Sequence, residues 1–490
     1  MTPKKTPKNA KKIKPRRHES FPRCWQTIRP EGKSVHSLNV RKDIITVILL
    51  EKRLRTKKIS IKMKNVLLLI ALVVASGVKA QEPKKILLQN GFLHVGNGDT
   101  LQSALVGIED GTITIVGNSM TYRYNPEEWD TIIDLNGGHI YPGFVAPNTT
   151  LGITEIDAVK ATRDYREIGY YNPHVRAQIA FNVESKVITT VRTNGVLISQ
   201  ATPRGGRISG SSAVMKLDGW NWEDATIKAD DGIHVNWPAS LTGGGWWAEP
   251  APKKANEKYP EQLAEIRAFF DKAKAYAQED EHEEIDGRWE AMKDCFNGTK
   301  RVYFHADEIQ QLQDIIDFVK AYDIEFPVIV GGYDAHLITR KLADANIPVM
   351  IVRPHSLPEN EEDDVDLPYK LAALLQEGGV KFCIQNQGDM EAMNARNIPF
   401  LAGTAQAYGL EREEAIQAIS LTPCEIMGID KRYGSVEKGK SGTLFVSTGD
   451  ALDMRTNNVT LVLIDGKFVS LNNSQKELYE KYKKKYEAKK

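Results

Sequence analysis

Paired cysteines are missing from this sequence. The four cysteines among 490 residues are Cys24, Cys295, Cys383 and Cys424, and no two stand at CxxC spacing. That excludes the usual sequence form of a structural zinc or dithiol redox site, and no disulfide framework is expected. Cys383 falls in the apolar run VKFCIQ and reads as a small buried hydrophobe. Nucleophile elbows and phosphate cradles are missing too: no Gly-x-Ser-x-Gly, Walker loop or dinucleotide fingerprint sits in a strand–turn–helix setting. No apolar run reaches the roughly 20 residues that span a bilayer comfortably, so no stable membrane anchor is expected. Positive charge is scarce beyond residue 80, where 44 Lys and Arg face 60 Asp and Glu. A surface of that sign argues against nucleic acid and anionic membranes as partners.

What positive charge there is gathers at the front. Residues 1–62 carry 19 Lys and Arg against four Asp and Glu. Residues 63–80, MKNVLLLIALVVASGVKA, then show a Lys64 n-region, an apolar h-region from Val66 to Val74, and a Val78-Lys79-Ala80 cleavage site. This reads as a signal peptide, giving an exported protein, periplasmic or secreted, that begins at Gln81. A signal belongs at an N-terminus. The simplest account therefore starts translation at Met63 and leaves 1–62 as an untranslated basic extension. The rival, a basic arm for nucleic acid, has little aromatic support, only Phe21 and Trp25 standing among the basic residues.

The chain has an ordinary globular composition, 41% apolar and 26% charged. It is long enough for a barrel of about 250 residues and a second module. From Lys85 to Ile140, short apolar runs broken at Asn90-Gly91, Asp110-Gly111 and Asn136-Gly137 predict strands with tight turns. Similar runs return in GSVEKGKSGTLFVSTGD and NNVTLVLIDGKFVSL, so one small β-module built from both ends is expected. The middle alternates. KRVYFH (300–305) reads as a strand, and Ile309, Leu312, Ile315, Ile316 and Val319 follow at helical spacing. Strands at 327–330, 347–352 and 380–384 alternate with helices at 336–345 and 369–376. Successive βα units imply a parallel sheet, either a barrel or a doubly wound sheet. Residues 201–255 instead hold Gly-rich loops with tryptophans at 220, 222, 237, 246 and 247. These either line a pocket, in the extreme a carbohydrate site, or pack a loop onto the barrel. The end, SQKELYEKYKKKYEAKK, is a charged helical tail.

Two stretches carry a resemblance. GGHIYPGFVAPNTTLG is similar to the amidohydrolase pattern in which PG(L/F)(I/V)D precedes His-x-His, and EEAIQAISLTPCEIMGIDKRYGSVEKGKSGTLFVSTGD resembles that superfamily's closing pattern. Together they span roughly residues 85–470 and are closest to exported relatives of the imidazolonepropionase-like branch. The resemblance implies an α/β fold: a (β/α)₈ TIM barrel at 144–429 and a small β-sandwich from 81–143 and 430–470, with a tail at 471–490. It also implies hydrolysis of a non-peptide C–N bond with one or two divalent cations, such as zinc, held by imidazole and carboxylate, which acidify a bound water.

The pattern is broken where the chemistry should sit. Asn148 and Thr150 replace the His-x-His pair, and amide or hydroxyl oxygen is a poor ligand for zinc. His305 matches the histidine closing the fifth family strand, and near Gly331-Gly332 the sixth-strand histidine is missing. Asn386 stands at the position of the family's catalytic aspartate and cannot accept a proton at neutral pH. Asp389, three residues on, is the nearest carboxylate. Arg204 and Arg207 lie on a Gly-rich loop after the strand 195–200 and are candidates for binding a substrate carboxylate. Two functions remain open: a hydrolase of a small amide, cyclic amide or dipeptide with one metal or none, or an inactive ligand-binding barrel. As a partner, each takes a small-molecule substrate or ligand; a homo-oligomer, or pairing with an active paralogue, is compatible with both.

Overall fold

The computed structural model describes residues 84–246, 249–279 and 281–488. The basic extension, the signal peptide, Cys24 and Trp247 lie outside the described residues.

The first strands are β1 (Lys85–His94), β2 (Thr100–Glu109), β3 (Thr112–Asn118), β4 (Thr131–Asp134) and β5 (His139–Pro142). Two of the expected turns form. Asp110-Gly111 joins antiparallel β2 and β3 as a hairpin, whereas Asn136-Gly137 joins β4 to β5, which both run parallel to β1 along one edge; each pair has both φ angles positive. Asn90-Gly91 is not a turn. It is an irregularity inside the continuous β1, where the register on β2 shifts between Gln89 and Gly91, the extra residue being absorbed as a bulge.

The central sheet comprises β6 (Phe144–Thr149), β7 (Val196–Ala201), β8 (Ile208–Lys216), β9 (Thr226–Asn236), β12 (Arg301–Ala306), β13 (Pro327–Gly331), β14 (Val349–Ile351) and β15 (Phe382–Ile384); a separate hairpin pairs β10 (Leu241–Trp246) with β11 (Glu249–Ala255). Its eight strands follow chain order. The edges are bridged by one segment: Val145 N donates to Ile419 O (2.8 Å) and Ile384 N to Ala418 O (3.1 Å). The sheet is therefore a nearly closed barrel. It departs from the expected all-parallel pattern at β8, which runs antiparallel to both β7 and β9. The short Gly-rich loop 202–207 leaves no room for a crossover helix, so the chain must double back.

Side-chain alternation separates two apolar layers. Val145, Ile198, Tyr303, Val330, Met350 and Cys383 point inward to fill the barrel, whereas Phe304, Ile329 and Ile384 face the helices outside. Gly232 admits the Tyr303 ring, since a Cβ there would lie 2.4 Å from Cε2 of that ring. Cys295, Cys383 and Cys424 are buried free thiols.

Three late strands, β16 (Leu444–Ser447), β17 (Val459–Ile464) and β18 (Lys467–Phe468), return to the first sheet. β16 pairs antiparallel with β5, aligning Leu444 with Pro142, so strands from both ends share one eight-stranded sheet. The tail forms a helix at Ser474–Glu487 with no buried residue.

Candidate functional site

Parallel strands carry their last residues to one rim, and on this fold that rim is where the loops can assemble a site. Five strands, β6, β7, β9, β12 and β15, deliver polar side chains there. Asn148, from β6, is fully buried and held at φ +46°, a left-handed conformation that asparagine tolerates better than most residues. Its Nδ2 donates to Gln385 Oε1 (2.7 Å) and Gln387 Oε1 (3.0 Å). Its backbone N donates to Gln200 Oε1 (2.9 Å) on β7. Gln200 Nε2 in turn donates to buried Asp231 (2.9 Å), which also accepts from Tyr303 Oη (2.5 Å). This amide network ties β6, β7 and the end of β15 across the barrel mouth.

On the opposite side, His234 of β9 and His305 of β12 meet, Nδ1 to Nε2, at 2.9 Å. One ring donates and the other accepts. His234 stacks on Tyr303 with ring centroids 4.5 Å apart. Burial, with Arg204 adding repulsion, lowers the His305 pKa to about 3. Burial, His305 and Arg204 together hold His234 well below the usual imidazole range. Both rings are neutral at pH 7. Asn148 Oδ1 and His234 Nε2 are buried without a hydrogen-bond partner among the described residues, so each is available to a ligand or water.

Thr150 is buried just past β6, where its carbonyl accepts from Ile153 N (3.0 Å). Asn386 does not hold the inward position expected for it. Inward Cys383 and outward Ile384 set the alternation, so Gln385 faces the mouth and Asn386 donates outward to Glu391 O (3.4 Å). Asp389 is exposed in the following loop. Arg204 is already engaged, donating to Asn148 O (2.8 Å) and pairing with Glu391 (3.0 Å). Arg207 donates to Asn236 O (2.7 Å) and lies over Tyr170. Neither guanidinium offers a free fork to a substrate carboxylate.

Of the tryptophans at 201–255, the three whose side chains are described, Trp220, Trp222 and Trp237, do not gather around one pocket. Trp237 is core, edge-on to Phe304 and Phe318, with Nε1 donating to Tyr259 Oη (3.1 Å). Trp220 is 89% exposed, and Trp222 packs partly buried on the core.

Sequence reasoning missed Gln200, His234, Gln385 and Gln387. The signals were present as strand-end polar residues in VLISQA, GIHVN and FCIQNQ.

A family-type metal needs about three imidazole, carboxylate or thiolate donors. The mouth supplies two imidazoles, bonded to each other, one carboxylate, Asp231, already engaged by Gln200, Tyr303 and Lys228, and otherwise amides. No group of three or more His, Cys, Asp or Glu side chains converges among the described residues. This donor set does not fit such a metal.

Comparison with known proteins adds three findings. The model of the Amidohydrolase family matches residues 187–469, more than half of the chain. The amidohydrolase tasK of Hapsidospora irregularis is 22% identical over 391 residues, 73% of this chain; the chain spans 39% of that longer relative's length. The crystal structure of an amidohydrolase from Thermotoga maritima MSB8 superposes with a TM-score of 0.66 at 24% identity, covering 79% of this chain and 99% of that one. This last likeness speaks to the fold.

Proposed function

The chain belongs to the amidohydrolase family, and from that premise we propose that its barrel mouth acts on a C–N bond of a small amide, cyclic amide or dipeptide. The observation that carries the reading is the mouth itself, in which Asn148, Gln385 and Gln387 form a buried amide network facing the neutral His234–His305 pair. Amide groups donate and accept at once, which suits recognition of a substrate amide. In hydrolysis the water oxygen bonds to the carbonyl carbon, the C–N bond breaks, and the proton leaves on nitrogen. Asn148 Oδ1 and His234 Nε2 are the unpartnered atoms that would orient substrate or water. The family is ordinarily metal-dependent, but the donors described at this mouth do not fit such a metal.

A second reading is favoured by that same donor set: a barrel that binds an amide ligand without turning it over, alone, as a homo-oligomer or beside an active paralogue. The two readings separate on one experiment. Purified protein is offered N-acyl amino acids, lactams and dipeptides, and amine or ammonia release is followed with and without added zinc. Turnover that falls on His305→Ala and survives Asp389→Asn supports the hydrolase. Calorimetric binding with no release supports the binder. Zinc content of the purified protein, measured by mass spectrometry, tests the donor argument: one tightly held equivalent would overturn it.

The flanking motifs support placement near the imidazolonepropionase-like branch, and the module built from both ends is proposed to fold as a sandwich. The hydrophobic segment at 63–80 supports export, to be tested by N-terminal sequencing for Gln81.

A further inference from the structure

A polar hollow opens on the mouth side of the barrel, lined by none of the residues of the amide network. Its walls are the loops that follow β12, β13 and β14, together with the base of the β10–β11 hairpin, and its volume is about 300 Å³. Five carboxylates line it, Asp307, Glu308, Asp334, Glu359 and Glu362, with Lys253 as the one lining cation among the described residues. Lys253 Nζ is turned to Asn360 Oδ1 (3.1 Å).

Two of these acids have structural work. Glu308 Oε2 accepts from Ser240 N (2.7 Å) and Leu241 N (3.2 Å), anchoring the hairpin. Asp334 Oδ2 accepts from Ile309 N (2.9 Å) at the start of the helix Ile309–Tyr322. Asp307 is different: its Oδ1 is buried and has no hydrogen-bond partner among the described residues. A buried carboxylate oxygen left unpaired among like charges is costly. A ligand of opposite charge would relieve that cost. A point ion is not the fit, since no three acidic or imidazole groups converge on one spot among the described residues. The acids are spread along a hollow large enough for a short aliphatic chain.

We propose that this hollow binds an organic cation, the ammonium or guanidinium end of a basic arm carried by the ligand of the barrel mouth. The setting rests on the proposed amide ligand; the test does not, because it measures binding without turnover. Full-length protein is titrated by calorimetry with pentylammonium chloride, and with 1-pentanol as the uncharged match, at one ionic strength. Pentylammonium is expected to bind one per chain and about tenfold tighter than pentanol. Asp307→Asn is expected to bring the amine down to the pentanol level. If that variant does not fold by circular dichroism, the exposed Glu359→Gln is read instead, with a loss of about threefold. Equal binding of amine and alcohol overturns the proposal, as does an amine affinity unchanged in the variant read. Magnesium chloride displacing the amine at one equivalent overturns it in favour of a metal site. Failure of every hydrolysis assay leaves it standing.

Discussion

Two polar neighbourhoods share the barrel mouth, and they are built on opposite principles. Around Asn148 the groups are mostly amides, the one carboxylate, Asp231, is paired with Lys228 Nζ (3.0 Å), and each bond fixes the next: Asn148 to Gln385 and Gln387, Gln200 to Asn148 and Asp231. Around Asp307 the groups are carboxylates that repel, and an oxygen is left without a partner. A charge-balanced network with most of its bonds made sets geometry and stabilises the fold, even with Asn148 Oδ1 left open. An unsatisfied charged one costs stability until something binds. The comparison predicts that substitutions in the first region destabilise, whereas neutralising the second stabilises.

The largest effect is expected at Asn148. Asn148→Leu would strand the Gln385 and Gln387 amides and place a branched side chain at φ +46°. The combined cost is about 3–5 kcal/mol in urea unfolding. Asn148→Gly keeps the backbone relaxed and should cost about half as much. A Gly variant as stable as the parent would show that the network contributes nothing beyond conformation. Next is Arg204, whose loss leaves the largely buried Glu391 unpaired. Arg204→Met should cost about 2 kcal/mol, and adding Glu391→Gln should restore most of it. A double variant no better than the single one would refute the pairing argument.

These residues also mark what could be read from the sequence. The barrel was legible because Val, Ile and Phe recur at strand and helix periods from 300 to 384, and the turn pairs Asp110-Gly111 and Asn136-Gly137 announce themselves. His305 was legible as the last inward residue of KRVYFH. The reversal at β8 was not, because an antiparallel and a parallel buried strand carry the same apolar pattern. Gln385 was missed by one position: a family alignment counts residues along the chain, whereas the inward face is set by strand alternation, which Cys383 and Ile384 fix only once their layers are seen. The hollow around Asp307 gathers side chains from 240 to 362, and no local pattern links them.

A third, smaller effect concerns the imidazoles. Burial lowers the His305 pKa to about 3, while an unfolded histidine titrates near 6.5. The unfolded chain therefore binds the extra proton first, and stability falls as pH drops from about 6.5 toward 3. Because the ring is half-buried, the loss by pH 4.5 should be about 1–2 kcal/mol. His305→Gln should remove that part of the slope in urea unfolding at pH 7, 6 and 4.5. An unchanged slope would mean that the ring takes up its proton without strain.

The smallest effect tests the charged region and has the opposite sign. Burial, reinforced by Glu359, raises the Asp307 pKa to about 7, against about 4 in an unfolded chain. Between those values the folded state keeps a proton that the unfolded state has released, so stability declines as pH rises and the full deficit is present above about pH 7. Asn cannot ionise, and Asp307→Asn should therefore be more stable than the parent at pH 8 and equal to it at pH 4. The gain should be under about 1 kcal/mol, because solvent screens a half-buried group among partly exposed acids. Adding pentylammonium should narrow the gap at pH 8 by stabilising the parent alone, since a ligand that binds only the folded state raises its stability. Thermal unfolding at both pH values reads all of these. A variant less stable than the parent at pH 8 would mean that the Asp307 carboxylate supports the fold, and the contrast between the two regions would fail at its charged half.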